Sequence, residues 1–163
     1  MTGTATGPEL VGQLLDAHGA ALVLYARQWC AAPEDAVQDA LVSLLAQQRP
    51  PRKLVAWLYR SVRNRAISLA RQEARRKRRE RAAYAENPWF DAGEAALDGQ
   101  VVVRAVEELP GDLREVVVAR VWGGLTFEDL GIVIGASTSA AHRRYEAALN
   151  QLRERLSVTW EKT

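Results

Sequence analysis

The chain has 163 residues, 48% of them hydrophobic and 26% charged, which suits one ordinary domain or two small ones and excludes a disordered polar segment. No stretch approaches the roughly 20 apolar residues that span a bilayer, and Met1 to Gly7 lacks the basic-then-apolar order of a signal peptide, so the expected location is the cytoplasm. A single cysteine, Cys30, excludes an internal disulfide and a thiolate metal cage; its apolar setting beside Trp29 suits a small buried side chain.

The first half reads as helices punctuated by proline. Pro8 suits a first helical position, and Val11, Leu14, Leu15, Leu22, Tyr25 and Trp29 follow at mostly helical spacings. Ala31-Ala32-Pro33 breaks that run. Pro33-Glu34-Asp35 then places a proline and two acids in the first turn of a second helix, where the dipole favours them. Val37, Leu41, Leu44 and Leu45 form its apolar face. Arg49-Pro50-Pro51 ends it, and a third helix runs from about Lys53 towards Glu80 with Leu54, Trp57, Leu58, Val62 and Leu69 inward.

That third helix is where the charge concentrates. Between Arg49 and Arg81 thirteen Lys or Arg stand against Glu73 and Glu80, a local excess of eleven positive charges; the remaining nine basic and eighteen acidic residues leave the rest of the chain at −9. The net charge of +2 hides this division. Arg60, Arg63, Arg65 and Arg71 lead into Arg75-Arg76-Lys77-Arg78-Arg79-Glu80-Arg81. Such density repels itself unless phosphates or counter-ions neutralise it, and a helix dipole accounts for only one or two cations, so the block reads as the footprint of a polyanion. Trp57, Tyr59 and Asn64 interleave with the cations, and aromatic rings beside guanidinium groups suit unpaired bases, although Trp57 also fits the core.

From Ala82 to Gln100 the pattern dissolves into Ala, Gly, Asn, Pro and acids: a linker between two domains, with room for a short helical piece and with Trp89-Phe90 able to dock on either side. In the second half Val101 to Val103 and Val116 to Val118 have strand propensity. Their periodicity is helical, however: Val102, Val106 and Leu109, then Leu113, Val117 and Val121, separated by the turn Pro110-Gly111-Asp112. Gly123-Gly124 stops the second of these helices. Thr126 caps the next, with Asp129 at the reciprocal capping position, Leu130 and Ile134 inward, and Gly135 at its end. Ser137 or Thr138 caps a last helix with Ala141, Tyr145, Leu149, Leu152 and Leu156 on one face.

Two helices around a tight glycine turn form a helix-turn-helix. The outer face of its second helix offers Ser139, His142, Arg143 and Glu146, with Arg144 beside them, types that bond base edges or phosphates in the major groove. The expected architecture is all-α: a helical domain over residues 8–81, a linker over 82–100 and a helix-turn-helix domain over 101–160. Catalytic motifs are absent, and His18 and His142 are solitary, so no catalytic site, metal, cofactor or small-molecule substrate is expected.

Two blocks of residues resemble a known family. Pro33-Glu34-Asp35-Ala36-Val37-Gln38-Asp39-Ala40-Leu41 and Ala56-Trp57-Leu58-Tyr59-Arg60-Ser61-Val62-Arg63-Asn64 are similar to region 2 of extracytoplasmic-function (ECF) sigma factors. Leu109-Pro110-Gly111-Asp112-Leu113-Arg114-Glu115-Val116, then Gly124-Leu125-Thr126-Phe127-Glu128-Asp129-Leu130 and Gly135, resemble region 4. The resemblance implies a protein that binds core RNA polymerase and directs it to promoters. On it, Asp35, Gln38 and Asp39 would meet the clamp helices of the largest polymerase subunit. The loop from Gln47 to Lys53, with Asn64, would capture a base flipped from the melted −10 element, and the helix from Thr138 would read the −35 element as duplex. An anti-sigma factor is a further candidate partner. Ala141 and Ala147 depart from the family, which usually carries a larger aliphatic and a basic residue there. Glu146 puts a negative charge where phosphate or base contact is expected, to accept from a cytosine amino group or to pair with Arg143 or Arg153. The competing readings are a stand-alone helix-turn-helix regulator that binds an operator as a dimer, and an RNA-binding or anti-sigma-type interaction protein. Neither a dimer surface nor an effector pocket is visible in the sequence.

Overall fold

A computed structural model describes residues 7–80 and 97–160, and among these every regular element is an α-helix. The first half holds α1 (Pro8–Ala26), α2 (Pro33–Leu45) and α3 (Leu54–Glu80). Pro8 and Pro33 occupy first-turn positions, where their missing N–H costs nothing, and Glu34 and Asp35 lie in the first turn of α2. Pro50 and Pro51 keep the chain from running straight from α2 into α3. The three helices close on Leu14, Leu22, Tyr25, Val37, Leu44 and Leu58, each such side chain contributing about 1.5–3 kcal/mol on burial. Tyr25 sits at the centre, edge-on to Trp29 (5.0 Å between ring centroids) and to Tyr59 (5.1 Å). Leu15 and Leu45, counted in the apolar patterns of α1 and α2, are 49% and 43% exposed, while Ala36 and Ala40 face the core. Cys30 is half-buried, and its Sγ–H donates to the Ala26 carbonyl at 3.7 Å; burial raises its thiol pKa.

The second half holds α4 (Leu97–Glu107), α5 (Gly111–Val121), α6 (Phe127–Ile134) and α7 (Thr138–Trp160). The valine-rich stretches are helical, as their periodicity required. Helix α4 begins at Leu97, so the last residues read as linker, Leu97 to Gln100, are helical. Trp89-Phe90 lies outside the described residues.

Helix α5 does not present a single apolar stripe. Leu113 and Val117 pack with Leu109 and Ala148 on the α7 side, whereas Val118 and Ala119 join the core of the first half. Every residue from Glu115 to Ala119 is buried as a result, and Val121, expected inward, is 56% exposed at the helix end. The two halves share one core: Leu125, Leu130, Val133 and Ala141 belong to the same cluster as Tyr25, Tyr59 and Val62. Helix α6 lies along α3, and α5 against α1.

Candidate nucleic-acid interface

Helix α3 is 27 residues long, about 40 Å at 1.5 Å per residue, and beyond Ala66 none of its side chains is buried. Trp57, Arg60, Asn64, Arg71, Arg75 and Arg78 recur at helical spacing and share one face. Arg60, Asn64, Arg71, Arg75, Arg78 and Arg79 are exposed, and Arg71, Arg75, Arg78 and Arg79 bond to no carboxylate among the described residues. The opposite face is internally neutralised. Arg76 donates to Glu73 at 2.8 and 3.1 Å, Lys77 lies 3.6 Å from Glu73, and Arg76 lies 3.9 Å from Glu80. The hydrogen bond from Arg76 is the main reason the Glu73 carboxyl pKa is lowered. Of the predicted cations Arg65 is also engaged, its Nε donating to Asp39 Oδ2 at 2.5 Å. The basic block therefore resolves into a stripe of open charge on one side and ion pairs on the other.

The stripe begins at a cleft of about 380 Å³ lined by Pro51, Lys53, Trp57, Arg60, Asn64 and Ile132. Trp57 is half-buried and offers an apolar wall; the exposed Asn64 amide offers both a donor and an acceptor. Tyr59, the other aromatic among the cations, is fully buried, and its hydroxyl, without a hydrogen-bond partner among the described residues, has a pKa raised by burial. It therefore takes no part in the stripe.

On α2, Asp35 and Gln38 are exposed and continue into Val42 (63% exposed) and Leu45 (43%) at spacings of three and four. The face thus runs from acidic to apolar. The pairing of Asp39 with Arg65 removes the need for an external cation at Asp39, which the sequence alone did not reveal.

The helix-turn-helix is built from α6 and α7. The Asp129 N–H donates to Thr126 Oγ1 at 3.1 Å, and the Ala140 N–H to Ser137 Oγ at 3.1 Å, so Ser137 is the second cap. Gly135 ends α6 at φ +69°, a left-handed conformation that glycine adopts without cost. The Asp129 carboxylate does not complete a reciprocal box; it lies 3.8 Å from Lys53 Nζ on the other half. Ala141 is fully buried where α7 meets the shared core. Ser139, His142, Arg143 and Glu146 form the exposed face of α7, and Arg144 is half-buried at its edge. The His142 ring stands edge-on to Phe127 (4.7 Å), which Arg120 covers from 4.7 Å. Glu146 pairs with His142 (Nδ1 to Oε2, 3.5 Å), not with Arg143 or Arg153; Arg153 donates to Asn150 Oδ1 at 3.1 Å.

Glu115 escaped the sequence reading. It is 4% exposed and accepts from Tyr25 Oη at 2.6 Å and from Arg63 Nε at 2.6 Å. Its only sequence signal is an acid beside three valines on a helix with inward positions on two sides. Burial foremost, then the charge of Glu115, holds the Tyr25 phenol well above its ordinary pKa. Burial alone would lower the Arg63 guanidinium, but the bond to Glu115 and its charge outweigh that and leave it raised. Among the described residues no group of three or more His, Cys, Asp or Glu is placed to hold a metal ion, and no helix is long and apolar enough to cross a membrane.

Comparison with known proteins gives the same two blocks. Residues 14–76 match the family model Sigma-70 region 2, and residues 105–154 match Sigma-70, region 4. The ECF RNA polymerase sigma factor EcfG of Rhodopseudomonas palustris (strain TIE-1) is 29% identical over 133 residues, 77% of this chain and 71% of that protein. Among solved structures, the sigma factor RpoE in complex with the anti-sigma factor NepR from Bartonella quintana is 27% identical, with a TM-score of 0.73 over 93% of this chain and 99% of that one. CnrH in complex with the cytosolic domain of CnrY is 27% identical, with a TM-score of 0.64 over 94% of this chain and 92% of that one. The order of the two matched regions, the helical architecture and the agreement with relatives over both halves at once place the chain in one family: it belongs to the ECF sigma factors, which are not enzymes but bind core RNA polymerase and direct it to promoters.

Proposed function

We propose that the three surfaces divide the work of promoter recognition among them. The α3 stripe follows the phosphates of the melted −10 strand, and the cleft at Trp57 and Asn64 receives an unstacked base from it. Single strands are held by cationic grooves and aromatic faces, which is the chemistry this face carries. The outer face of α7 enters the major groove at the −35 element, with Arg143 and His142 as donors and Ser139 as a neutral partner. The exposed face of α2, from Asp35 and Gln38 to Val42 and Leu45, meets the polymerase clamp. The observation that carries the reading is a stripe on α3 whose Arg71, Arg75, Arg78 and Arg79 bond to no carboxylate among the described residues, in the same chain as an exposed helix-turn-helix face.

As with the sigma factor RpoE from Bartonella quintana, an anti-sigma factor is a partner we expect, and the chain works in the cytoplasm, where polymerase and promoters are. A stand-alone dimeric regulator is disfavoured because both sigma regions are matched in order. The test is reconstitution with core polymerase on genomic DNA, followed by sequencing of transcript 5′ ends. Starts that share −35 and −10 sequences and depend on this chain are expected; random starts, or none, refute the reading.

A further inference from the structure

Glu115 is the charged side chain that lies buried among the described residues, and neither DNA recognition nor polymerase binding uses it. It stands on α5, in the second half of the chain, yet both its partners come from the first half: Tyr25 on α1 and Arg63 on α3, the latter also reaching Oε2 from Nη2 at 3.5 Å. Arg63 lies over the Trp29 ring, 5.8 Å from its centroid. Two neighbouring cations are held from the same side. Lys53 pairs with Glu128 at 3.3 Å, and Arg60 donates to the Ile132 carbonyl at 3.4 Å. Ile132 also forms one wall of the cleft at Trp57 and Asn64. Thus Lys53, Arg60 and Arg63, at the N-terminal end of the basic block, all bond to groups of the second half.

Geometry makes this arrangement incompatible with a promoter. Elements 25 base pairs apart are about 85 Å apart at 3.4 Å per step, whereas a compact chain of this length has a radius of gyration of about 15 Å. The halves must separate before both elements are held, and separation frees Arg63 from its carboxylate.

We infer that Glu115 is an internal anion that holds the chain shut, occupying Arg63 until a DNA phosphate replaces it as the halves part. Opening and DNA capture are then one exchange of anions on the same guanidinium, and polymerase or DNA drives it by binding the open state alone. This rests on the sigma-factor reading, but its test does not involve polymerase.

The probe is a single-stranded DNA 20-mer of random sequence, titrated against the full chain. Glu115→Gln keeps the shape and removes the charge. A hydrogen bond to a charged group is worth at least about tenfold in an equilibrium constant, and apparent affinity scales with the competent fraction, so the 20-mer should bind at least about tenfold tighter. Tyr25→Phe changes no charge and should tighten binding by a smaller factor. Glu34→Gln, at an exposed position on α2, makes the same charge change away from the clasp and should leave the affinity within about twofold. Arg63→Ala also opens the chain but lacks the receiving cation, so it should gain less than Glu115→Gln. Spin labels on Gln38 and Ser139, with Cys30 replaced by Ala, should move apart when the 20-mer saturates the chain. Native affinity in both Glu115→Gln and Tyr25→Phe, with helicity intact by circular dichroism, overturns the clasp. An equal gain in Glu34→Gln also overturns it, since bulk charge then explains the effect. Should this series behave as expected while reconstitution with core polymerase yields no defined starts, the sigma reading fails and the clasp stands.

Discussion

The division of α3 into an open and a paired face makes the salt dependence of DNA binding a sharp test. Replacing Arg75, Arg78 and Arg79 with Ala removes three cations that bond to no carboxylate among the described residues. If each meets one phosphate of a single strand, the slope of log K against log salt should fall by about 0.7 per contact, or about 2.1 for the three. Between 50 and 200 mM salt the native chain should then lose about 18-fold more affinity than the variant. Arg76→Ala is the comparison. Its guanidinium already serves Glu73 on the face away from the stripe, so losing it leaves Glu73 with Lys77 and removes no phosphate contact, and the slope should change by well under one contact. Fluorescence anisotropy of a labelled single strand across a salt series measures both. Equal slope changes for Arg76→Ala and for the average open arginine would refute the two-faced reading, because the ion pairs would then have no bearing on which cations meet DNA.

Other perturbations test other parts of the molecule. Asp35→Lys should abolish co-purification with core polymerase while leaving circular dichroism native, because Asp35 is exposed on α2; Asp39→Ala, which loses only a partly exposed pair with Arg65 worth about 0–1 kcal/mol, should keep it. Arg143→Ala should cost roughly 1–3 kcal/mol of promoter affinity and relax preference at one or two −35 positions if it reads a base; uniform weakening on all templates marks a phosphate contact instead. Gly131→Ala should destabilise the fold by about 1–3 kcal/mol in thermal melts, since the new Cβ would stand 2.8 Å from the Ala136 carbonyl, a backbone atom that cannot swing aside. The Tyr25 phenol, held above its ordinary pKa, contributes stability that is complete below about pH 10 and is lost as pH rises through its folded value. Melting temperature should therefore show no step from Tyr25 between pH 6 and pH 9, and Tyr25→Phe should flatten the alkaline decline.

Much of this molecule was legible from residue spacing and charge. Period and proline placement gave the helices of both halves, even where valine runs favoured strands, because an apolar stripe at 3.6-residue spacing outweighs local propensity once it can be buried. The cap at Thr126, the stop at Gly135 and the outer face of α7 were readable because caps and left-handed turns are local chemistry. Charge partners across the fold were not. Nothing near Asp39 in sequence announces Arg65, twenty-six residues away, and Glu146 found His142 one turn along while two arginines were equally plausible by spacing.

Helix α5 marks the boundary between the two kinds of knowledge. Composition, periodicity and caps by themselves determined that the chain is helical, that it has two halves, that one carries a basic helix and that the other carries a helix-turn-helix. They assigned α5 one inward stripe, since a single-sequence pattern presumes a helix with one buried side. Only the tertiary structure decided that α5 is buried between α7 on one side and the first half on the other, and that its one buried carboxylate meets Tyr25 and Arg63. The physical reason is that such a contact depends on which faces of distant helices meet, and neither the Coulomb attraction nor the exclusion of water that strengthens it exists until they do.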